Sequence, residues 1–252
     1  TPFMVNLDGF ALTHTYESVD VPDQSLADEF LPPYRTENRF DFEHPVNMGY
    51  SAGPEYNRYF KYWAHRDMCD AVQVIDEVEA RFARVFGRAY PGVIESYRTD
   101  DADIVMVTLG SIAGLVREVV DGLRSSGFAA GVIRIRYMRP FPAAPLAAAL
   151  GSARAVGVIE KDVSFGAEGA VFTNVNSALM QHGGRRALPT TMNFIGGLGG
   201  DDISAEQIDR AFEKLSQAAR GDVAPSDRVL FLGIDDVDGG SGCGGSVEEV
   251  AR

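Results

Sequence analysis

The chain holds only two cysteines in 252 residues, Cys69 and Cys243, far apart and in dissimilar settings. That count argues against a disulfide-stapled secreted fold and favours a reducing, cytoplasmic setting. No CxxC pair occurs, so neither an iron–sulfur cluster nor a thiolate zinc site is expected within the chain. Its four histidines (His14, His44, His65 and His182) form no HxH or HExxH pattern, which removes the common imidazole metal signatures. Positive charge is also scarce. Against 36 acidic side chains stand 23 lysines and arginines, a formal net charge of −13. Such a surface repels nucleic acid and anionic membranes. Apolar runs stop short of the roughly 18 residues that a membrane-spanning helix requires, and no signal-peptide pattern is visible. There is no GK[ST] phosphate loop, no GxSxG elbow and no legible nucleophile–base pair. From the residues alone, the expectation is no catalytic, cofactor-binding or metal-binding residue in this chain.

What is present is a strongly patterned chain. Phe3, Val5 and Leu7 alternate into Asp8-Gly9-Phe10, predicting a strand that reaches a turn. A lone edge strand cannot pair its own ladder. Residues 1–16 are therefore expected to be the end of a truncated domain whose sheet lies in preceding sequence or in a partner. His14 lies near the polar cluster Asp8, Thr13, Thr15, Tyr16 and Glu17; it serves either as a hydrogen-bonding structural residue or as part of a site at a strand end. Residues 17–56, rich in early prolines, read as an extended connector with one or two helical turns at 25–30. Residues 57–86 carry apolar side chains at helical spacing, with Gly87 as a stop.

From residue 93 onward the pattern alternates. Apolar strands are expected at 103–109, 130–137, 154–160 and 190–195, with a further edge strand at 92–98. Helices are expected at 112–126, 143–151, 168–182 and 204–219, the last opened by a Ser204/Gln207 capping box. Continuous apolar strands separated by helices predict a doubly wound, mainly parallel Rossmann-like sheet covered on both faces. Residues 57–220 are read as this second domain with its long helix. Residues 221–252 are read as a short strand followed by a flexible Gly-rich acidic tail, with Cys243 an incidental thiol.

Glycine-rich turns close three of the strands. Gly110-Ser111-Ile112-Ala113-Gly114 opens a helix whose free amides could hold an anion. Its spacing is not GxGxxG, and no acid ends the next strand, which reads Arg136-Tyr137-Met138-Arg139. The plainer reading gives Gly110 a tight turn and Gly114 close helix–sheet packing. Arg139-Pro140-Phe141-Pro142 predicts a stiff exit loop at the carboxyl edge. Ser164–Gly169 and Gly196–Gly200 predict edge loops where backbones approach closely.

The blocks NLDGFALTHTYE, VPDQSLADEFLPPY, FGRAYPGVIESYRTDDAD, VTLGSIAG, IRYMRPFP, SFGAEG and NFIGGLGG occur in order from about residue 3 to 215. In this the chain resembles the α subunit of the 2-oxoacid:ferredoxin oxidoreductases of pyruvate synthase type. The resemblance implies the end of a thiamine diphosphate-facing domain I, followed by a transketolase C-terminal-like domain II. It implies oxidative decarboxylation of a 2-oxoacid to acyl-CoA and CO₂, or the reverse. Thiamine diphosphate, Mg²⁺, [4Fe–4S] clusters and CoA would belong to the complete complex, with none in this chain. The implied partners are a β subunit holding diphosphate and Mg²⁺, a γ subunit, a ferredoxin-like iron–sulfur subunit, and ferredoxin or a flavin/NAD subunit as acceptor. The isolated chain is expected to be inactive. The family usually continues GGLGG with Arg-Asp-Ile. Here Asp201-Asp202-Ile203 follows, which removes a salt-bridge partner and points to a divergent branch acting on a bulkier or aromatic 2-oxoacid. The alternative reading is a free-standing Rossmann-like nucleotide- or anion-binding module using the 110–114 turn. A third is an adaptor docking through the 57–86 helix.

Overall fold

A computed structural model describes residues 2–36, 38–49, 51–90, 92–184, 188–224 and 227–234. The Gly-rich tail and Cys243 lie outside the described residues. By compactness the chain divides into two units. One comprises residues 1–4 and 16–92; the other comprises 5–15 and 93–252.

In the first unit, α2 (Gln24–Phe30) packs on α3 (Pro54–Phe86). α3 begins a turn earlier than its apolar spacing predicts because Pro54 sits in its first turn, where proline's missing N–H costs nothing. It ends at Gly87, which adopts φ 66 and returns its N–H to the Ala83 carbonyl. Phe30 meets Phe82 edge-on at 5.5 Å and Phe86 at 5.4 Å, with the Arg81 guanidinium 4.7 Å over the ring. No residue of α3 is buried. The side chains at helical spacing thus form no core of their own among the described residues.

The second unit opens with the single turn α1 (Ala11–His14). It continues through β1 (Ile94–Tyr97), β2 (Ile104–Leu109), α4 (Ile112–Ser125), β3 (Ala130–Ile135), α5 (Ala143–Ala149) and β4 (Ala155–Glu160). It closes with α6 (Ala170–His182), β5 (Thr190–Ile195), α7 (Ala205–Arg220) and β6 (Val229–Phe231). The sheet order is β1-β3-β2-β4-β5-β6, with every pairing parallel except β1 against β3. This is the doubly wound α/β sheet expected from the sequence. The edge strand expected at 92–98 is antiparallel β1, and the short strand expected after residue 221 is β6.

Alternation along β2 divides the core. Ile104 and Met106 face α4 and α7, together with Val116, Phe194, Phe212 and Leu215. Val105 and Val107 face α5 and α6, together with Leu146, Val158, Phe172 and Val175. Both faces are covered, so the parallel strands are mostly apolar rather than alternating. Ser204 and Gln207 form the expected capping box: the Gln207 amide donates to Ser204 Oγ (3.3 Å), and the Ser204 amide donates to Gln207 Oε1 (2.9 Å).

Two sequence expectations differ from the fold. Residues 3–7, expected as a strand, carry no strand assignment and pair with no described strand of this sheet. Gly114 faces open space, so it makes no close helix–sheet approach. Ala113, Val116 and Val120 supply the packing face of α4 instead.

Candidate functional site at the carboxyl edge of the sheet

The chain runs from β2 to β3 on one side of β2, then crosses to place β4 on the other. The strand order therefore reverses between β2 and β4. A crevice at that reversal, outside the carboxyl ends, is where doubly wound sheets take ligands. Two surface hollows elsewhere, between α4 and α7 and at the amino edge beside Asp103 and Arg154, do not lie at this position.

The crevice is built from the β2–α4 turn, the end of β4 and the β5–α7 loop. Gly110 leaves β2 at φ 71, a left-handed conformation that a side chain would resist. Ser111 follows, with its amide at the free end of α4. That amide donates to Asp8 Oδ2 at 2.8 Å, and Ser111 Oγ donates to the same oxygen. A Cβ on Gly110 would sit 3.0 Å from Asp8 Oδ2, so only glycine admits the carboxylate comfortably. Burial raises the Asp8 pKa. The two Ser111 donors and the Lys161 ammonium more than offset this and hold it below the usual aspartate value.

The rest of segment 5–15 follows Asp8 onto this edge. Phe10 takes φ 54, a conformation rare for a bulky side chain. Its ring lies over Gly200, where a Cβ would fall 2.7 Å from Phe10 Cδ2. Gly200 itself has φ 90. His14 ends α1, with Nδ1 3.1 Å from the Phe10 carbonyl and 3.2 Å from Thr13 Oγ1. Its visible contacts are thus local and structural. Lys161 runs along Gly197, where a Cβ would lie 3.0 Å from its Cε.

A second polar cluster lies behind Lys161. Glu160 ends β4 almost wholly buried, 3% exposed, and Asn193 on β5 is fully buried. Glu160 Oε2 accepts from the Val171 amide (2.7 Å), and Oε1 accepts from the Phe172 amide (3.0 Å) and from Asn193 Nδ2 (2.8 Å). Asn193 Oδ1 accepts from the Gly169 amide (2.8 Å), and Asp162 Oδ2 from that of Ala170 (3.2 Å). All four orphan donors at the start of α6 are satisfied by side chains. A Cβ on Gly169 would fall 2.1 Å from Glu160 Cδ, so the glycine makes room for the cap. Burial pushes the Glu160 pKa up, and the donors on its carboxylate hold it down less strongly. Both carboxylate oxygens of Glu160 accept amides of α6, which makes it a cap rather than a free acid or base.

The structure therefore brings together Asp8, the 110–111 turn and the 196–200 loop, and leaves the Arg139–Pro142 exit loop and His14 outside their hydrogen bonds. Sequence reasoning missed Lys161 and the Glu160–Asn193 cap. The available signal was a carboxylate closing an otherwise apolar strand, followed by a helix-opening glycine. Among the described residues, no group of three or more His, Cys, Asp or Glu side chains could hold a metal ion. No described helix is long and apolar enough to cross a membrane.

Comparison with known proteins adds the context. Residues 1–80 match the family described as "Pyruvate flavodoxin/ferredoxin oxidoreductase, thiamine diP-bdg". Residues 102–208 match "Pyruvate:ferredoxin oxidoreductase core domain II". The pyruvate synthase subunit PorA of Pyrococcus horikoshii is 41% identical over 218 residues, covering 86% of this chain and 54% of the relative. The ketoisovalerate oxidoreductase subunit VorA of Pyrococcus abyssi is 38% identical, covering 86% and 54%. Among solved structures, a 2-oxoglutarate:ferredoxin oxidoreductase from Magnetococcus marinus is 20% identical over 56% of this chain and 23% of that chain, with a TM-score of 0.38. The chain spans about half the length of the curated relatives it matches.

Proposed function

The chain belongs to the α-subunit family of the 2-oxoacid:ferredoxin oxidoreductases, and from that premise we propose that it is the structural and interfacial portion of a CoA-acylating 2-oxoacid oxidoreductase. The observation that carries this reading is the ordered pair of family matches, 1–80 and 102–208, backed by relatives near 40% identical over most of the chain. The reaction class is oxidative decarboxylation: a 2-oxoacid and CoA give an acyl-CoA and CO₂, two electrons pass to an acceptor, and the reverse is carboxylation. Ferredoxin is the proposed acceptor, by the class name of the family, with a flavin/NAD subunit as the variant.

The described residues do not fit the family's cofactors. The turn that would offer amides to a diphosphate already holds the Asp8 carboxylate, and like charges at one helix end repel. Cys69 is the single described cysteine, whereas clusters are held by several thiolates. Thiamine diphosphate, Mg²⁺, [4Fe–4S] clusters and CoA are accordingly assigned to the rest of a cytoplasmic complex, on β, γ and ferredoxin-like subunits and on further α-subunit sequence. The proposed division is 1–16 as the end of domain I, 17–56 as connector, 57–220 as domain II and 221–252 as strand and tail. The free-standing anion-binding module is not favoured, because its turn is filled by the chain's own carboxylate.

Co-expression with a candidate thiamine diphosphate-binding β subunit and an iron–sulfur subunit tests this. A stable complex should form and reduce ferredoxin or a viologen dye only when both a 2-oxoacid and CoA are supplied. Decarboxylation of a 2-oxoacid by the 252 residues alone would refute a purely structural role.

A further inference from the structure

The boundary between the two family matches and the boundary between the two compact units do not coincide. Residues 1–80 match the thiamine diphosphate-binding family, yet within that stretch residues 5–15 pack with the 93–252 unit. The apolar side chains of this segment do not explain its docking. Val5 is 77% exposed, Leu7 75% and Phe10 64%, and of the segment's large apolar side chains Leu12 alone, at 37%, is more than half covered. Burial of so little apolar surface gives a weak hold on a strand-like segment. The segment also carries a cost, since Phe10 is held at positive φ. What remains is Asp8. Its carboxylate takes two donors from Ser111, bridging 103 positions of sequence, and Lys161 adds its charge nearby. Gly110 leaves the space that the carboxylate fills.

We propose that Asp8 is an ionic pin: its carboxylate occupies the switch-point crevice between β2 and β4 and docks segment 5–15 onto the sheet. It stands where a bound anion would stand in another doubly wound protein. Loss of the charge, rather than of the side-chain shape, releases the segment. Under the function proposed above, and resting on it for this meaning only, Asp8 is a positioning residue that ties the end of the thiamine-family region to domain II.

The Ser111 amide is the reporter. It precedes the first intrahelical donor of α4, so its protection from exchange with solvent depends on Asp8 and not on the helix. Amide exchange on the full chain, by NMR at Ser111 and by mass spectrometry over 5–15, should be compared for wild type, Asp8→Asn, Asp8→Glu and Ser111→Ala. Charge-assisted hydrogen bonds predict that Asp8→Asn speeds exchange at Ser111 and over 5–15 by about tenfold or more. Peptides of β3 and β4 should be unchanged in that variant. Ser111→Ala, which keeps the amide donor, should fall between wild type and Asp8→Asn. Equal protection in Asp8→Asn and wild type would overturn the pin, as would an unprotected Ser111 amide in wild type. A general rise across β3 and β4 would also overturn it, by showing a role in global stability. Asp8→Glu checks geometry: partial retention of protection is expected, and protection below that of Asn would contradict an ionic hold. None of these readouts needs enzymatic activity, so failure of the pin and failure of the 2-oxoacid reading are separable.

Discussion

Buried Glu160 and half-buried Glu95 in the α/β unit have opposite electrostatic settings. Glu160 is raised by burial beyond what the donors of α6 can offset. Its native form therefore binds a proton more tightly than the unfolded chain does. Stability from this group is full below the unfolded pKa and is lost as pH rises through the raised folded pKa. Glu95 is the reverse. Burial pushes it up, but the hydrogen bond from Arg117 (2.5 Å) and the charge of Arg134 (2.7 Å) outweigh burial and hold it low. Its contribution is present above the unfolded pKa and is lost as pH falls through the lowered folded value. Urea unfolding across pH 3–8 would separate the two, a range chosen to bracket roughly the glutamate titration. Glu160→Gln should flatten the decline above the ordinary glutamate range, and Glu95→Gln should flatten the loss on the acid side. Glu160→Ala is a harsher change, because it orphans the Val171 and Phe172 amides. We expect about 1–3 kcal/mol of lost stability from it, read from the urea midpoint. An unchanged midpoint would mean that water replaces the cap.

Secondary-structure elements sort by how local their causes are. β2 and β4 were legible because each is dominated by apolar side chains buried on both faces, and α7 because Ser204 and Gln207 announce its start. The Glu160–Asn193 cap was not legible: its partners are separated by 33 positions and meet only after β4 pairs with β5. The docking of segment 5–15 was harder still, since it rests on one carboxylate 103 positions from its donor. Of the candidate site, sequence showed the glycine turns but not what fills them. Gly157 illustrates the packing logic. It lies mid-strand in β4, and a Cβ there would fall 2.7 Å from Met106 Sδ, 2.9 Å from Leu215 Cδ2 and 3.0 Å from Phe194 Cε2. Those three side chains are fully buried and close the space. Gly157→Val should therefore cost about 1–3 kcal/mol despite valine's preference for strands. A thermal melt of the variant checks this, and a raised midpoint would show that α7 can shift outward. In the other unit, Phe30→Ala should loosen the last turns of α3 by removing the ring that Phe82 and Phe86 pack against, detectable as faster amide exchange over 79–86.

At the scale of the whole molecule, the long helix is the part least explained by its own contacts. A helix gains most of its stability from packing of one face, not from propensity. α3 has 33 residues and none is buried. Its first turns expose Tyr56, Tyr59, Phe60, Tyr62 and Trp63, each about half or more accessible. Its last turns are braced through Phe30. An isolated chain should accordingly show a gradient of amide exchange along α3, fast over 54–66 and slower over 79–86. If the chain works as a subunit portion, assembly should erase that gradient. A stable interface of standard size buries roughly 800 Å² on each side, which five large aromatic side chains on one stretch of helix can go far toward supplying. Addition of the proposed β subunit should slow exchange over 54–66 by about tenfold or more, with residues 104–109 of the already buried β2 unaffected. Trp63→Ala should weaken that protection without altering the melting of the α/β unit. Exchange over 54–66 that stays fast in an active, assembled complex would remove this stretch from the interface and leave its aromatic side chains without a structural role there.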